Sequence, residues 1–318
     1  MLHLRPVGRS DFADVLALHL RAEEFDRVPR VLTLDELEED LDDEHVSLAT
    51  DTRLALVDGE PVGYLYTYHL PSEVKNERCY LFGAVSPTHR GQGIGTALME
   101  WGISRATEQL ESSGRSLPRF IRAEAYDHMA AAHNLFARLG MQPVRYHDEL
   151  LRPLTDLPPL TSPAGVRIVS WPTDRDEEIR LAKDAAFADH WGSTPTPPEH
   201  WVQQVRGVGA RPDLSFIALD TADRVVAHCL NKRFEADDDL IGRRDAWIDN
   251  LGTLAEWRGK GLASALIAHS LHAFAAAGLT HASIGVDSEN PTGAARLYRA
   301  LGFEPLHRSI THELALAG

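Results

Sequence analysis

The chain has 318 residues, of which 43% are hydrophobic and 25% charged, with a net charge of −15. That length suits two domains, each large enough to bury its own core. The acidic balance excludes a protein that tracks nucleic-acid phosphates or coats an anionic membrane, since both need a basic face. It leaves room for a small anion held at one local site.

The two cysteines, Cys79 and Cys229, are isolated, one in each half. This argues against a disulfide framework and for a reducing, cytoplasmic setting. No apolar run reaches the roughly 18 residues of a membrane span. The opening "MLHLRPVGRSDF" lacks the apolar stretch of a signal peptide.

In chain order, "LHLRPV" predicts a short strand and "DFADVLALHLRAEE" a helix. "RLALVDGEPVGYLYTY" predicts a hairpin turning at Asp58-Gly59. A strand, "CYLFGAVS", leads into the Gly-rich turn "HRGQGIGTALME" at 89–100, where Ile94, Leu98 and Trp101 make an amphipathic helix face that Gly114 ends. "NLFARLG" at 134–140 belongs to a second helix. Four prolines in "PLTDLPPLTSPAG", 153–165, fit neither a helix nor a central strand and read as a semi-rigid linker.

The series then recurs. "GVRIVS" is a strand, "DEEIRLAKDAAFADH" a helix, and "LSFIALDTADRVVAHCL" a hairpin with a longer turn. "AWIDNLGTL" precedes a second Gly-rich turn, "WRGKGLASALIA" at 257–268, whose helix places Ile267, Leu271 and Phe274 on one face and stops at Gly278. "RLYRALG" at 296–302 closes the repeat. Arg90 and Arg258 are 168 residues apart, whereas Phe136 and Tyr298 are 162 apart. The difference fits the polar loop "ESSGRSLPR" at 111–119. The chain therefore divides into domains at 1–155 and 164–318 with a linker at 156–163, each a mixed sheet flanked by helices.

A glycine-rich turn opening a helix offers free N–H groups and the positive end of the helix dipole, which suits phosphate. Neither turn fits a dinucleotide fingerprint or a P-loop. The recurrence of turn and closing helix resembles the GNAT superfamily of N-acetyltransferases. Its pattern [Arg/Gln]-x-x-Gly-x-[Gly/Ala] is met by Arg90, Gly93 and Gly95, and by Arg258, Gly261 and Ala263. "VDSENPTGAARLYRALGFEP" is similar to that family's last helix, with Asn290 and Tyr298 in the expected places. The tandem arrangement, the "RPLTDLP" linker start and the "ALAG" end further resemble the mycothiol synthase family.

The resemblance implies an α/β fold of two tandem GNAT-like domains. Each is a mixed, mostly antiparallel sheet flanked by helices, with two strands splayed around acetyl-CoA. Its pyrophosphate would lie on Arg258, Gly259, Lys260, Gly261, Leu262 and Ala263, with Leu251, Thr253 and Asn290 along the rest of the cofactor. In the first half the matching residues are Val85, Arg90, Gly91, Gln92, Gly93, Ile94 and Gly95. Asn290 before Pro291 is equally a helix N-cap.

Acetyl transfer to an amine needs proton removal from the ammonium, donors for the developing oxyanion and a proton for the departing thiolate. Tyr298 is the candidate acid; it sits about 100° around the helix from core-facing Leu297. Backbone N–H groups near Leu251 to Thr253 are the candidate oxyanion donors. Asp249 shares a strand face with Leu251 and Thr253 if alternation holds and could relay the amine's proton; a solvated or salt-bridged Asp is the other reading. His190 and Trp191, in "FADHWGSTPTPPEHW", lie where the resemblance places acceptor-binding residues, though tryptophans there also suit a core.

The first half has Leu81 in place of Asp249 and Phe136 in place of Tyr298. It is therefore expected to keep a phosphate turn and to be catalytically weak or silent. No metal site is expected, because His269 and His272 lack a third ligand. The leading expectation is an acetyl-CoA-dependent N-acetyltransferase acting on the primary amine of a small molecule through its second domain. Acetylation of a cysteinyl amine or an antibiotic amine, and a non-catalytic acyl-CoA-binding protein, are the alternatives.

Overall fold

The computed structural model describes residues 1–72, 74–191, 193–289 and 293–316. The first half runs β1 (Leu2–Arg5), α1 (Phe12–Asp26), α2 (Leu34–Leu41), the single turn α3 (Leu48–Asp51), β2 (Thr52–Val57), β3 (Glu60–Leu70), β4 (Glu77–Val85), α4 (Ile94–Ser112), β5 (Arg119–Tyr126), α5 (Ala130–Arg138) and β6 (Gln142–Pro153). The second runs β7 (Val166–Ser170), α6 (Asp176–Ala186), α7 (Pro198–Arg206), β8 (Phe216–Asp220), β9 (Val225–Lys232), the single turn α8 (Asp238–Ile241), β10 (Asp245–Thr253), α9 (Leu262–Ala276), β11 (His281–Asp287), α10 (Ala294–Ala300) and β12 (Glu304–Ala315).

Two compact units form, and each takes its last strand from the other half of the sequence. Unit 1 is Met1–Tyr146 with the chain from Ser309 onward; unit 2 is His147–Arg308. Contacts thus divide the chain at 146/147 and 308/309, whereas the prolines mark a boundary near 156–163. The reason is pairing. Residues His147–Pro153 of β6 lie antiparallel to β11, while Ser309–Ala315 of β12 lie antiparallel to β5.

Within each unit the sheet has the same plan. In unit 1, β1, β2, β3 and β4 are successive antiparallel neighbours, and β4 runs parallel to β5. In unit 2, β7 to β10 repeat this and β10 runs parallel to β11. The parallel ladders are short. β4 pairs with β5 only from Glu77 to Tyr80, and β10 with β11 only from Asp245 to Ile248. Beyond those points the strands part, and Leu81–Val85 and Asp249–Thr253 each present an open edge.

Local chemistry accounts for the elements. Asp58 and Gly59 both take positive φ, 51° and 89°, as a type I′ hairpin turn requires. Ile267, Leu271 and Phe274 on α9 are fully buried, each contributing ~1.5–3 kcal/mol by removal from water. On α4, Ile94 and Leu98 are buried, while Trp101 is half-buried under the Arg53 guanidinium at 4.5 Å. Gly114 and Gly278 take positive φ just past the ends of α4 and α9.

Two helices go beyond the sequence reading. α2 opens on a reciprocal capping box, with Thr33 Oγ1 accepting from Glu36 N–H and Glu36 accepting from Thr33 N–H. α7 occupies 198–206, so His200 and Trp201 are helical and buried. Among the described residues, no helix is long and apolar enough to cross a membrane. Cys79 and Cys229 are buried free thiols.

Candidate active site

The two Gly-rich turns are built alike. Gly91 and Gly93 take φ of 75° and 85°, Gly259 and Gly261 of 72° and 83°, and a Cβ on any of the four would meet nothing within 4 Å. Gly93 and Gly261 are the N-caps of α4 and α9, and neither helix start receives a side-chain cap. Each turn thus aims uncapped backbone N–H groups and a helix dipole into open space, a fit for the pyrophosphate of acetyl-CoA. Ile94 and Leu262 turn their side chains into the cores, so only their backbones can serve the site. Gln92 reaches back to the Thr88 carbonyl at 3.4 Å, Lys260 lies over the Trp257 ring at 4.5 Å, and a Cβ on Gly95 would press Leu135 at 3.3 Å. Val85, Leu251, Thr253 and Ala263 are half-buried beside their turns. Asn290 lies outside the described residues.

The cations differ. Arg90 is held by a bidentate ion pair to Asp26, at 2.6 and 2.7 Å, and lies over the Phe25 ring. Among the described residues, Arg258 donates to the carbonyls of Ala186 at 2.7 Å and Thr253 at 3.3 Å. The charge of Arg90 is met by a carboxylate; among the described residues, that of Arg258 is not. The Ala186 bond also ties the end of α6 to the turn.

β10 carries a bulge that β4 lacks. Its ladder with β9 slips between Ile248 and Asn250, while the β3–β4 ladder runs unbroken through Thr67–Leu81 and Tyr66–Phe82. The bulge corrects the expected alternation. Leu251 packs into the core under α9, whereas Asp249 meets Lys232 at 3.7 Å. On β9, Lys232 falls on the same face as Leu230, which packs with Trp201 and Ile179 of α7 and α6. Asp249 and Leu251 therefore do not share a face. The ion pair is partly exposed and adds little to stability.

Beside Asp249, Asn250 Oδ1 accepts from His228 Nε2 at 2.7 Å. His228 is fully buried and pairs across the ladder with Gly252, where a Cβ would come within 2.3 Å of its ring. Burial, with Lys183 nearby, pushes its pKa down to about 4, although the Asn250 bond opposes this. Phe187 links it to the sequence-predicted His190: their rings lie 6.3 and 5.6 Å from that of Phe187. His190 Nδ1 in turn contacts the Trp191 carbonyl at 3.1 Å, and Trp191 is half-buried. Trp201 belongs to the core instead.

Tyr298 and Phe136 occupy matched positions on α10 and α5, each 7% exposed. Tyr298 packs edge-on to Phe303, and burial, with Cys229 close by, raises its pKa well above the ordinary tyrosine value. It therefore keeps its proton at neutral pH. Phe136 packs on His312 at 5.1 Å. The C-terminal end of α10 is capped by Arg152 of β6, which donates to the Leu301 and Asp156 carbonyls. His272 contacts the Pro158 carbonyl and His269 packs on Phe216. Sequence reasoning missed Asn250, His228, Asp26 and Arg152. No motif announces the first three; Arg152 was visible only as the start of the linker.

Residues 14–141 and 177–303 each match the model of the Acetyltransferase (GNAT) family. The chain is 30% identical over 274 residues to a mycothiol acetyltransferase of Nocardia farcinica, covering 81% of both chains. In three dimensions it is similar to a GCN5-related N-acetyltransferase of Sphaerobacter thermophilus, with a TM-score of 0.76, 25% identity, and coverage of 99% of this chain and 95% of that one. It is also similar in fold to a tandem GNAT protein from the clavulanic acid biosynthesis pathway, with a TM-score of 0.71, 18% identity, and coverage of 100% and 99%. Two family matches, one on each Gly-rich turn, establish that the chain belongs to the GNAT family as a tandem, acetyl-CoA-dependent N-acetyltransferase.

Proposed function

We propose that the C-terminal domain, 164–318 completed by β6, acetylates the primary amine of a small molecule, and that the N-terminal domain, 1–155, does not turn over. The observation that carries this is the Tyr298–Phe136 contrast: equal burial at matched positions, with a proton on one side only. Acetyl-CoA supplies an activated acetyl thioester. The turn at Arg258–Ala263 holds its phosphates through backbone N–H groups, and the open edge of β10 near Leu251 to Thr253 offers donors to the carbonyl oxygen. Asp249, facing the α6 side, attracts the ammonium and takes up its proton through solvent. With acetyl-CoA bound, Tyr298 would give its proton to the sulfur that leaves as the C–N bond forms and the C–S bond breaks, and the second amine proton, released as the amide forms, would restore the phenol through solvent. In unit 1 the groups at the corresponding places are occupied or apolar: Arg90 by Asp26, with Leu81 and Phe82 opposite Asp249 and Asn250.

Tyr298→Phe tests the assignment. We expect kcat to fall about 10- to 100-fold with acetyl-CoA affinity unchanged; an unchanged single-turnover rate removes Tyr298 from the reaction. The second reading is a mycothiol-type acceptor, acetylated on a cysteinyl amine. It is favoured by the 30% identity to mycothiol acetyltransferase over 81% of both chains.

A further inference from the structure

The bulge in β10 does more than break alternation. It turns two successive polar side chains, Asp249 and Asn250, toward the same face on the stretch that has parted from β11. Asn250 is half-buried there, and among the described residues its Nδ2 has no protein partner.

His228 determines how that amide is presented. Its ring is completely buried and, among the described residues, its Nδ1 has no hydrogen-bond partner. Burying an unpaired N–H costs more than burying a bare lone pair, so the proton belongs on Nε2. Nε2–H then donates to Asn250 Oδ1, which leaves both Nδ2 hydrogens directed onward. Gly252 is required for this arrangement, since a Cβ there would collide with the imidazole. Unit 1 fills the same places differently. Tyr64 stands opposite Ala84 as His228 stands opposite Gly252, and its hydroxyl is satisfied by His19 at 2.6 Å, itself paired to Glu23. Phe82, in the place of Asn250, is 43% exposed and stacks on Tyr66.

We infer that Asn250, oriented by His228, binds an oxygen of the acceptor while Asp249 binds its ammonium, so that the enzyme selects amines bearing a carbonyl or hydroxyl oxygen on the neighbouring carbon. This rests on the reading that unit 2 is the catalytic one. A carboxylate and an amide donor on adjacent residues match an ammonium and an oxygen acceptor a few bonds apart. A simple alkylamine satisfies only the first. His228 is a positioning residue: it is enclosed and acts through Asn250.

The test uses glycinamide and propylamine, compared by titration against the full-length protein saturated with CoA. Wild-type protein should bind glycinamide at least tenfold more tightly. Asn250→Ala should reduce that ratio to about threefold or less by weakening glycinamide alone, with CoA affinity retained as evidence of folding. His228→Phe should act in the same direction, and His228→Gln, which restores an N–H donor, should recover part of the preference. Wild-type protein that binds both amines equally, or neither, overturns the inference, as does a ratio preserved in Asn250→Ala. Failure of the underlying reading appears elsewhere: turnover would survive Gly261→Asp in the unit 2 turn, whatever the ratio.

Discussion

The buried imidazole of His228 makes stability depend on pH in a way that a single substitution isolates. The group ionises near 6.5 when unfolded but is held at about 4 in the folded chain, chiefly by burial. A depressed pKa contributes stability that is fully present above the unfolded value and lost as pH falls toward the folded one. Below pH 6.5 the unfolded chain takes up a proton that the native chain refuses. The native state then weakens by about 1.4 kcal/mol per pH unit, reaching roughly 3 kcal/mol near pH 4. His228→Phe keeps a ring beside Phe187 and Gly252 but cannot titrate. The assay is urea unfolding of both proteins between pH 4.5 and 7.5, with m held common. All other titrations cancel in the difference. Wild type minus variant should fall steadily below pH 6.5 and level off above it. A difference flat across that range would show that His228 is not enclosed as a neutral ring.

Two further outcomes follow from the strand exchange. Arg152→Ala removes a buried guanidinium from the Leu301 carbonyl that ends α10 and from the Asp156 carbonyl of the linker. Thermal or urea unfolding should report a loss of about 2–4 kcal/mol, from charge-assisted hydrogen bonds and stranded acceptors. The fragment 164–318 lacks the β6 segment that pairs with all of β11 and supplies Leu150 to the core. It should therefore fail to unfold cooperatively, whereas 147–308 should give a sigmoidal transition.

What was legible in the sequence was what repeats. The Gly-rich turns, the Asp58-Gly59 hairpin and the faces of α4 and α9 announce themselves through local φ requirements and 3.6-residue periodicity. The exchange of β6 and β12 was not legible, because the two halves carry equivalent final strands and local pattern does not say which partner a strand meets. The Asp249 bulge was hidden for a related reason: strict alternation is the default, and a one-residue slip has no signature in "WIDNLGT". Asn250 and His228 stayed invisible because their meaning depends on that slip and on Gly252 across the ladder. Asp26 lies just beyond the helix read from "DFADVLALHLRAEE", and only the fold sets it against Arg90.

Under the proposed function, one turn serves catalysis and the other does not. Gly261 and Gly93 permit a matched test, since both are helix N-caps at nearly equal positive φ, 83° and 85°, and both face open space. Aspartate at either would put a carboxylate where the pyrophosphate must sit, at the same backbone cost. Measured as amine-dependent release of CoA thiol, Gly261→Asp should reduce turnover at least 100-fold, while Gly93→Asp should stay within about threefold of wild type, since ~3 kcal/mol of lost binding is felt only at the active turn. Loss of turnover in Gly93→Asp with activity retained in Gly261→Asp would contradict the account.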